Sequence, residues 1–316
     1  MFQAVRSNKA KTVAIVTGIF LFFAGIIYLI SFFLLELGVF AGAVAVGLAF
    51  LLSFFAYWNS DKIVLSLHRA RPATPEQDAK LNNILEGLCI AAGVPKPRLY
   101  VMDDPALNAF ATGRNQKKGV ICVTTGLLNR LDYYQLEAVV AHELAHIRNY
   151  DMLLQTVAGI LIGSAIIAAD IAGRVMLRSG GGRSRSSSGG GGGGALIIMA
   201  VGLLFMILAP IAGQILKMAL SRNREFLADA TAIEFTRNPE GLASALELIG
   251  GSSIPLRNAN NATEGIYIAT PCPELRRAQK LDLKNAKRAR KNKNGVSLFS
   301  THPPIAARVE ALRNFR

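Results

Sequence analysis

The chain has 316 residues, 51% of them hydrophobic, a mean hydropathy of +0.34 and a formal net charge of +14. That length accommodates one globular domain plus a membrane anchor, and the charge suits an anionic bilayer surface, because no recognition helix, RNP-like strand or zinc-finger spacing accompanies it to indicate nucleic-acid binding. Cys89, Cys122 and Cys272 are odd in number, scattered and without a CxxC pair, so they read as reduced, partly buried thiols rather than a disulfide framework or a cysteine zinc cluster.

Residues 13–35 and 37–58 are apolar runs of membrane-spanning length. Only Glu36 is charged between them, which predicts a tight hairpin; a cleaved signal peptide is the rival reading of the first run, but the run is too long and a second follows at once. Arg6, Lys9 and Lys11 precede the pair, Lys62, Arg69 and Arg71 follow it, and the connection has no cation, so both ends are expected in the cytoplasm. Tyr57 and Trp58 stand where an interfacial aromatic belt belongs, and His68, in the basic stretch beyond, is expected on the surface. Residues 74–92 predict a helix, with Thr74 as cap, Pro75 at the first helical position and Gly93 at its end. Segments 98–103, 108–113 and 119–125 predict three short strands. Another helix begins near Asp132, whose side chain pairs with Gln135 in a capping box; Leu136, Val139, Val140, Leu144 and Ile147 follow at helical spacing.

Two further apolar runs, 152–173 and 195–219, flank a Gly/Ser-rich linker at 178–194. Arg174, Arg178, Arg183 and Arg185 between the runs disagree with an external position, and Gln155, Asp170, Gln214 and Lys217 make the runs less lipid-like than the first pair. Either the pair spans despite the charge bias, or it dips into the cytoplasmic leaflet or packs on the domain. From 221 to 249 the pattern is helical, interrupted near Asn238-Pro239. Nine Lys/Arg against Asp282 fall between Arg276 and Lys293, a solvated or membrane-facing run. The chain therefore divides into an N-terminal transmembrane hairpin (1–60), a first domain segment (61–151), a second membrane pair with its linker (152–220) and a second domain segment (221–316). The expected fold class is a mainly α integral membrane protein, with four apolar helices and a domain carrying a small β-sheet.

The residues that carry chemistry are in "HELAH", 142–146. Residues four apart on a helix share a face, so His142 and His146 can offer imidazoles to one ion, with Glu143 beside them to reach a water on it. A catalytic zinc takes a third protein ligand and keeps one position open. Glu225 in "SRNREFLADA" is the candidate third ligand, and Asp229, one turn later, is the candidate carboxylate that orients a ligating imidazole. The bland alternative is that both acids decorate a solvated helix. The apolar run after His146 begins about six residues on, so the metal-binding helices read as continuous, or nearly so, with the membrane pair, placing the metal roughly 10–15 Å from the membrane surface. A structural zinc scaffold is the rival from another class, but a fourth ligand is lacking in the pattern.

"HELAHIRNYD", "SRNREFLADA", "NAFATG" and "FSTHPPIAARVEAL", in this order, resemble the HtpX-type membrane zinc metalloproteases, relatives of the CaaX prenyl proteases. The resemblance implies a gluzincin-like domain holding one Zn2+ on His142, His146 and Glu225, with Glu143 as catalytic base. It also implies a multi-pass protein of the bacterial inner membrane with a cytoplasmic catalytic domain, acting on membrane or misfolded proteins in quality control. It implies further that Asn108, with Ala109 and Phe110, holds substrate along an edge strand; a capped turn before an ordinary strand is the alternative. His302 is the candidate oxyanion donor or an incidental surface residue, and Arg222 serves similarly or forms a salt bridge within the site.

Overall fold

In a computed structural model, residues 40–152, 222–257, 266–269 and 303–315 are described, together with 17, 18, 20, 21, 24 and 25. Most of the first apolar run, all but Met152 of the third, the fourth, the Gly/Ser-rich linker, the basic tail, Cys272 and His302 lie outside the described residues. Helix α1 (Phe40–Trp58) is 19 residues, about 28 Å at 1.5 Å per residue and just short of the roughly 30 Å hydrocarbon core. Among the described residues no helix is long and apolar enough to cross a membrane. Arg114 stacks over the Trp58 ring at 4.0 Å and donates to its carbonyl, tying the end of α1 to the turn that follows strand β3.

The domain order is α2 (Ser60–Leu67), β1 (Arg71–Pro72), α3 (Pro75–Ala92), β2 (Arg98–Met102), β3 (Ala109–Thr112), β4 (Val120–Thr124), α4 (Thr125–Arg130), α5 (Tyr133–Arg148), α6 (Arg222–Thr236), α7 (Pro239–Gly251) and α8 (Ile305–Arg313). The expected caps form. Thr74 and Gln77 close a capping box on α3, Gly93 ends it in the left-handed region at φ 64°, and Asp132 with Gln135 does the same for the start of α5. The strands run in the order β1-β2-β4-β3, with β2 and β4 parallel and both outer strands antiparallel to their neighbours. Every residue of β4 (VICVT) is buried, as a run rich in β-branched residues in a sheet covered on both faces requires.

Period-two alternation divides the sheet between two cores. Leu99, Val101, Ala109, Ala111, Ile121 and Val123 meet the main helical core, to which α5 contributes Leu136, Val139, Val140, Leu144 and Ile147. Met102, Phe110, Val120 and Cys122 face a smaller core with Val64 and Leu65 of α2. Helix α5 is held between α3, α6, α7 and the sheet.

One expectation is corrected. His68 is fully buried, because α2 covers the second face of the sheet and turns the end of the basic stretch inward, while Lys62 and Arg69 stay exposed. Its Nδ1 lies 2.7 Å from the Tyr267 hydroxyl, and its ring packs on Phe110. Helix α5 ends at Arg148, Tyr150 adopts φ 61° in a left-handed turn, and helical residues resume at Asp151 and Met152, beyond which the third apolar run lies outside the described residues.

The loop before β3 packs tightly on the start of α4: Gly126 donates to the Asp104 carbonyl, and a Cβ there would sit 2.2 Å from the Pro105 carbonyl oxygen. Gly126→Ala is expected to cost about 1–3 kcal/mol through forced displacement, measured as a lower Tm of the purified protein in detergent with its metal content intact.

Candidate metal centre

Helix α5 presents His142 and His146 one turn apart, their rings nearly perpendicular at 87° and their Nε2 atoms 3.2 Å apart. Glu225, in the first turn of α6, places its carboxylate oxygens 3.7 Å from each Nε2. Among the described residues these three form a group able to hold a metal ion, with donor atoms all within 4.8 Å of one another. Donors about 2.0–2.2 Å from a tetrahedral zinc stand roughly 3.3–3.6 Å apart, so the observed spacing fits an ion at their centre.

Each imidazole is turned by a carboxylate behind it. Asp229 Oδ1 lies 3.0 Å from His142 Nδ1, and Asp151 Oδ2 lies 3.3 Å from His146 Nδ1. A carboxylate on Nδ1 keeps that nitrogen protonated and directs the Nε2 lone pair at the common centre. Arg308 of α8 is fully buried and grips Asp229 through two hydrogen bonds of 2.8 and 2.6 Å. It also reaches Glu225 Oε2 at 3.5 Å and donates to the Ile268 carbonyl at 3.0 Å. Arg224 is buried beside this group, its guanidinium pKa lowered by burial against the pull of Asp151 and Glu225.

The charges make a second test of fit. Glu143, Asp151, Glu225 and Asp229 are buried carboxylates, faced by two buried arginines, Arg224 and Arg308. Two negative charges in excess, in a medium of low dielectric, match a divalent cation held by neutral imidazoles. Glu143 has both carboxylate oxygens buried and without a hydrogen-bond partner among the described residues. Burial raises its pKa above the ordinary carboxylate range, against the opposing pull of His142 and His146. Without a metal, burial pulls the His142 imidazole down, but its bonds to Asp229 and Glu225 prevail and lift it to about 9. Asp229, which burial alone would raise, is held low by Arg308 and His142.

Asn108, Ala109 and Phe110 are fully buried at the start of β3, the outer strand of the sheet. Arg222 begins α6, and its side chain lies outside the described residues, as does all of His302. Sequence reasoning missed Asp151, Arg224 and Arg308. For Arg308 a signal existed: it is a cation among Ile305, Val309 and Leu312 on the inward side of α8. Asp151 stands five residues beyond His146, past a break that helical spacing does not foresee.

Paired imidazoles from HExxH on one helix and a glutamate from a second define a metallopeptidase site of the gluzincin type. The pattern of peptidase family M48 matches residues 75–316, and the chain belongs to that family. Its relatives include a "Protease HtpX homolog" of Dictyoglomus thermophilum, 43% identical over 314 residues that cover 99% of this chain and 94% of the relative. Another of the same name, from Listeria monocytogenes serovar 1/2a, is 41% identical over 321 residues, covering 99% of both. The solved structure of S. mikatae Ste24p superposes at a TM-score of 0.50 with 18% identity, covering 100% of this chain and 67% of that one, a likeness of fold. The chain is thus a metalloprotease of the HtpX type.

Metal uptake must displace the proton that His142 holds up to about pH 9. The sign follows from the raised pKa. The stabilising charge on His142 is fully present below its ordinary 6.5 and lost as pH rises through about 9. Zinc affinity of the metal-stripped protein is therefore expected to rise across that window and level above it; a flat profile by competition titration would contradict the assignment. Asp229→Asn is expected to weaken zinc binding by about 10- to 100-fold, read by the same titration.

Proposed function

We propose that the protein is a zinc-dependent endopeptidase that cuts membrane or misfolded proteins at the cytoplasmic face of the bacterial inner membrane, in membrane-protein quality control. The observation that carries the reading is the buried carboxylate of Glu143, without a hydrogen-bond partner among the described residues, beside three donors spaced for one tetrahedral ion. His142, His146 and Glu225 would hold the zinc, which when bound supplies a Lewis acid and acidifies a coordinated water.

Glu143 takes a proton from the attacking water and delivers it to the leaving amine; its raised pKa brings it nearer to the working pH and suits both transfers. Asp229 and Asp151 fix the two imidazoles, and Arg308 locks Asp229. His302 and Arg222 are further donors to charge developing on the substrate carbonyl in this reading. Substrate lies extended along β3, held at Asn108, Ala109 and Phe110 through backbone hydrogen bonds.

The four apolar runs anchor the domain in the bilayer. Helix α1 supports this, since Phe40, Phe50, Leu51, Phe54, Phe55 and Trp58 are exposed along it and a lipid environment removes that cost. Glu143→Gln is expected to keep zinc while cleavage of a membrane-protein substrate in proteoliposomes falls about 10²–10⁴-fold. Cleavage at the wild-type rate by the variant would refute the mechanism.

A further inference from the structure

Strand β3 has β4 on one side, and a segment of the chain itself takes the other. Phe110 and Tyr267 form an antiparallel bridge, and the Ile268 N–H donates to the Ala109 carbonyl at 3.0 Å. Asn108 Nδ2 donates to the Ala269 carbonyl at 3.0 Å. The Ile268 carbonyl accepts from Arg308, the same guanidinium that holds Asp229 and reaches Glu225. The segment therefore meets β3 at one bridge residue, Tyr267, between a 3-10 residue at Ile266 and bends at Ile268 and Ala269, with one peptide carbonyl fixed by a cation lying against the candidate ligands. Ile266, Tyr267, Ile268 and Ala269 are all buried. Tyr267 stands edge-on to Phe110 at 5.6 Å and hydrogen-bonds His68 on the α2 side, while Ile268 enters the main core on the opposite side.

These are among the contacts an added substrate strand makes: an antiparallel bridge with one backbone hydrogen bond, alternate side chains in pockets and a peptide carbonyl held by a cation. An edge has one free row of ladder groups, so two peptides cannot hold it at once. We propose that Ile266–Ala269 is an internal pseudosubstrate. It holds the substrate edge in a latent enzyme, and its side chains report the substrate class: an apolar segment with an aromatic residue followed by a β-branched one. The inference rests on the peptidase reading above and adds what occupies the edge and which peptides can replace it.

The test uses the full-length zinc-loaded protein in detergent and an unstructured fluorogenic peptide containing Ile-Tyr-Ile-Ala. Ile268→Pro removes the N–H that bonds Ala109. It is expected to raise kcat/KM about tenfold, as loss of one backbone hydrogen bond implies, with zinc content unchanged. The free peptide GIYIAT should inhibit that variant competitively and the wild type more weakly. Should Ile268→Pro lose its zinc, Ile268→Gly, which keeps the N–H but empties the pocket, is read in the same way. If the variants cleave at wild-type rates or slower with zinc retained, and GIYIAT inhibits neither form, the segment is a structural strand and the proposal is overturned. Cleavage that Glu143→Gln does not abolish in any of these proteins would instead remove the peptidase reading itself.

Discussion

An excess of buried negative charge governs the arrangement of the centre. Glu143, Glu225, Asp229 and Asp151 converge around two imidazoles with Arg224 and Arg308 in support, all largely removed from water. Uncompensated carboxylates in such a setting are costly, and protonating them would surrender the hydrogen bonds that orient the histidines. A divalent cation at the meeting point of His142, His146 and Glu225 resolves both demands. The same balance explains why Arg308 is enclosed: it neutralises Asp229, which in turn fixes His142.

The scaffold delivers these groups by ordinary means. Helix α5 is capped by Asp132, buried on almost every side from Leu136 to Ile147 and stopped by the turn at Tyr150. That stop brings Asp151 back against His146, which a continuous helix would have carried away. Helix α6 supplies Glu225 and Asp229 one turn apart, and α8 closes the centre from the third side with Arg308. The sheet contributes little catalytic chemistry but sets an edge beside the centre, and α2 seals its far face around His68 and Tyr267.

Local rules made much of the fold legible. Thr74, Pro75 and Gly93 marked α3, Asp132 and Gln135 marked α5, and Asn238-Pro239 marked the break between α6 and α7, because caps and breakers act within a few residues. HExxH was legible for the same reason: i and i+4 share a helix face wherever the helix lies. His68 was misjudged because its neighbours are basic, while its burial depends on a helix packing beneath a sheet formed from later residues.

By itself the sequence determined the helices and strands, the two-histidine motif with its adjacent carboxylate and the apolar runs, all of which follow from short-range periodicity and side-chain chemistry. Only the tertiary structure decided that Glu225, some eighty residues away, meets the histidines, that Asp151 and Arg308 complete the polar network, and that Ile266–Ala269 lies on the edge of β3. Those outcomes depend on contacts distant in sequence, where a side chain's role is set by which packed surface encloses it and not by its neighbours along the chain.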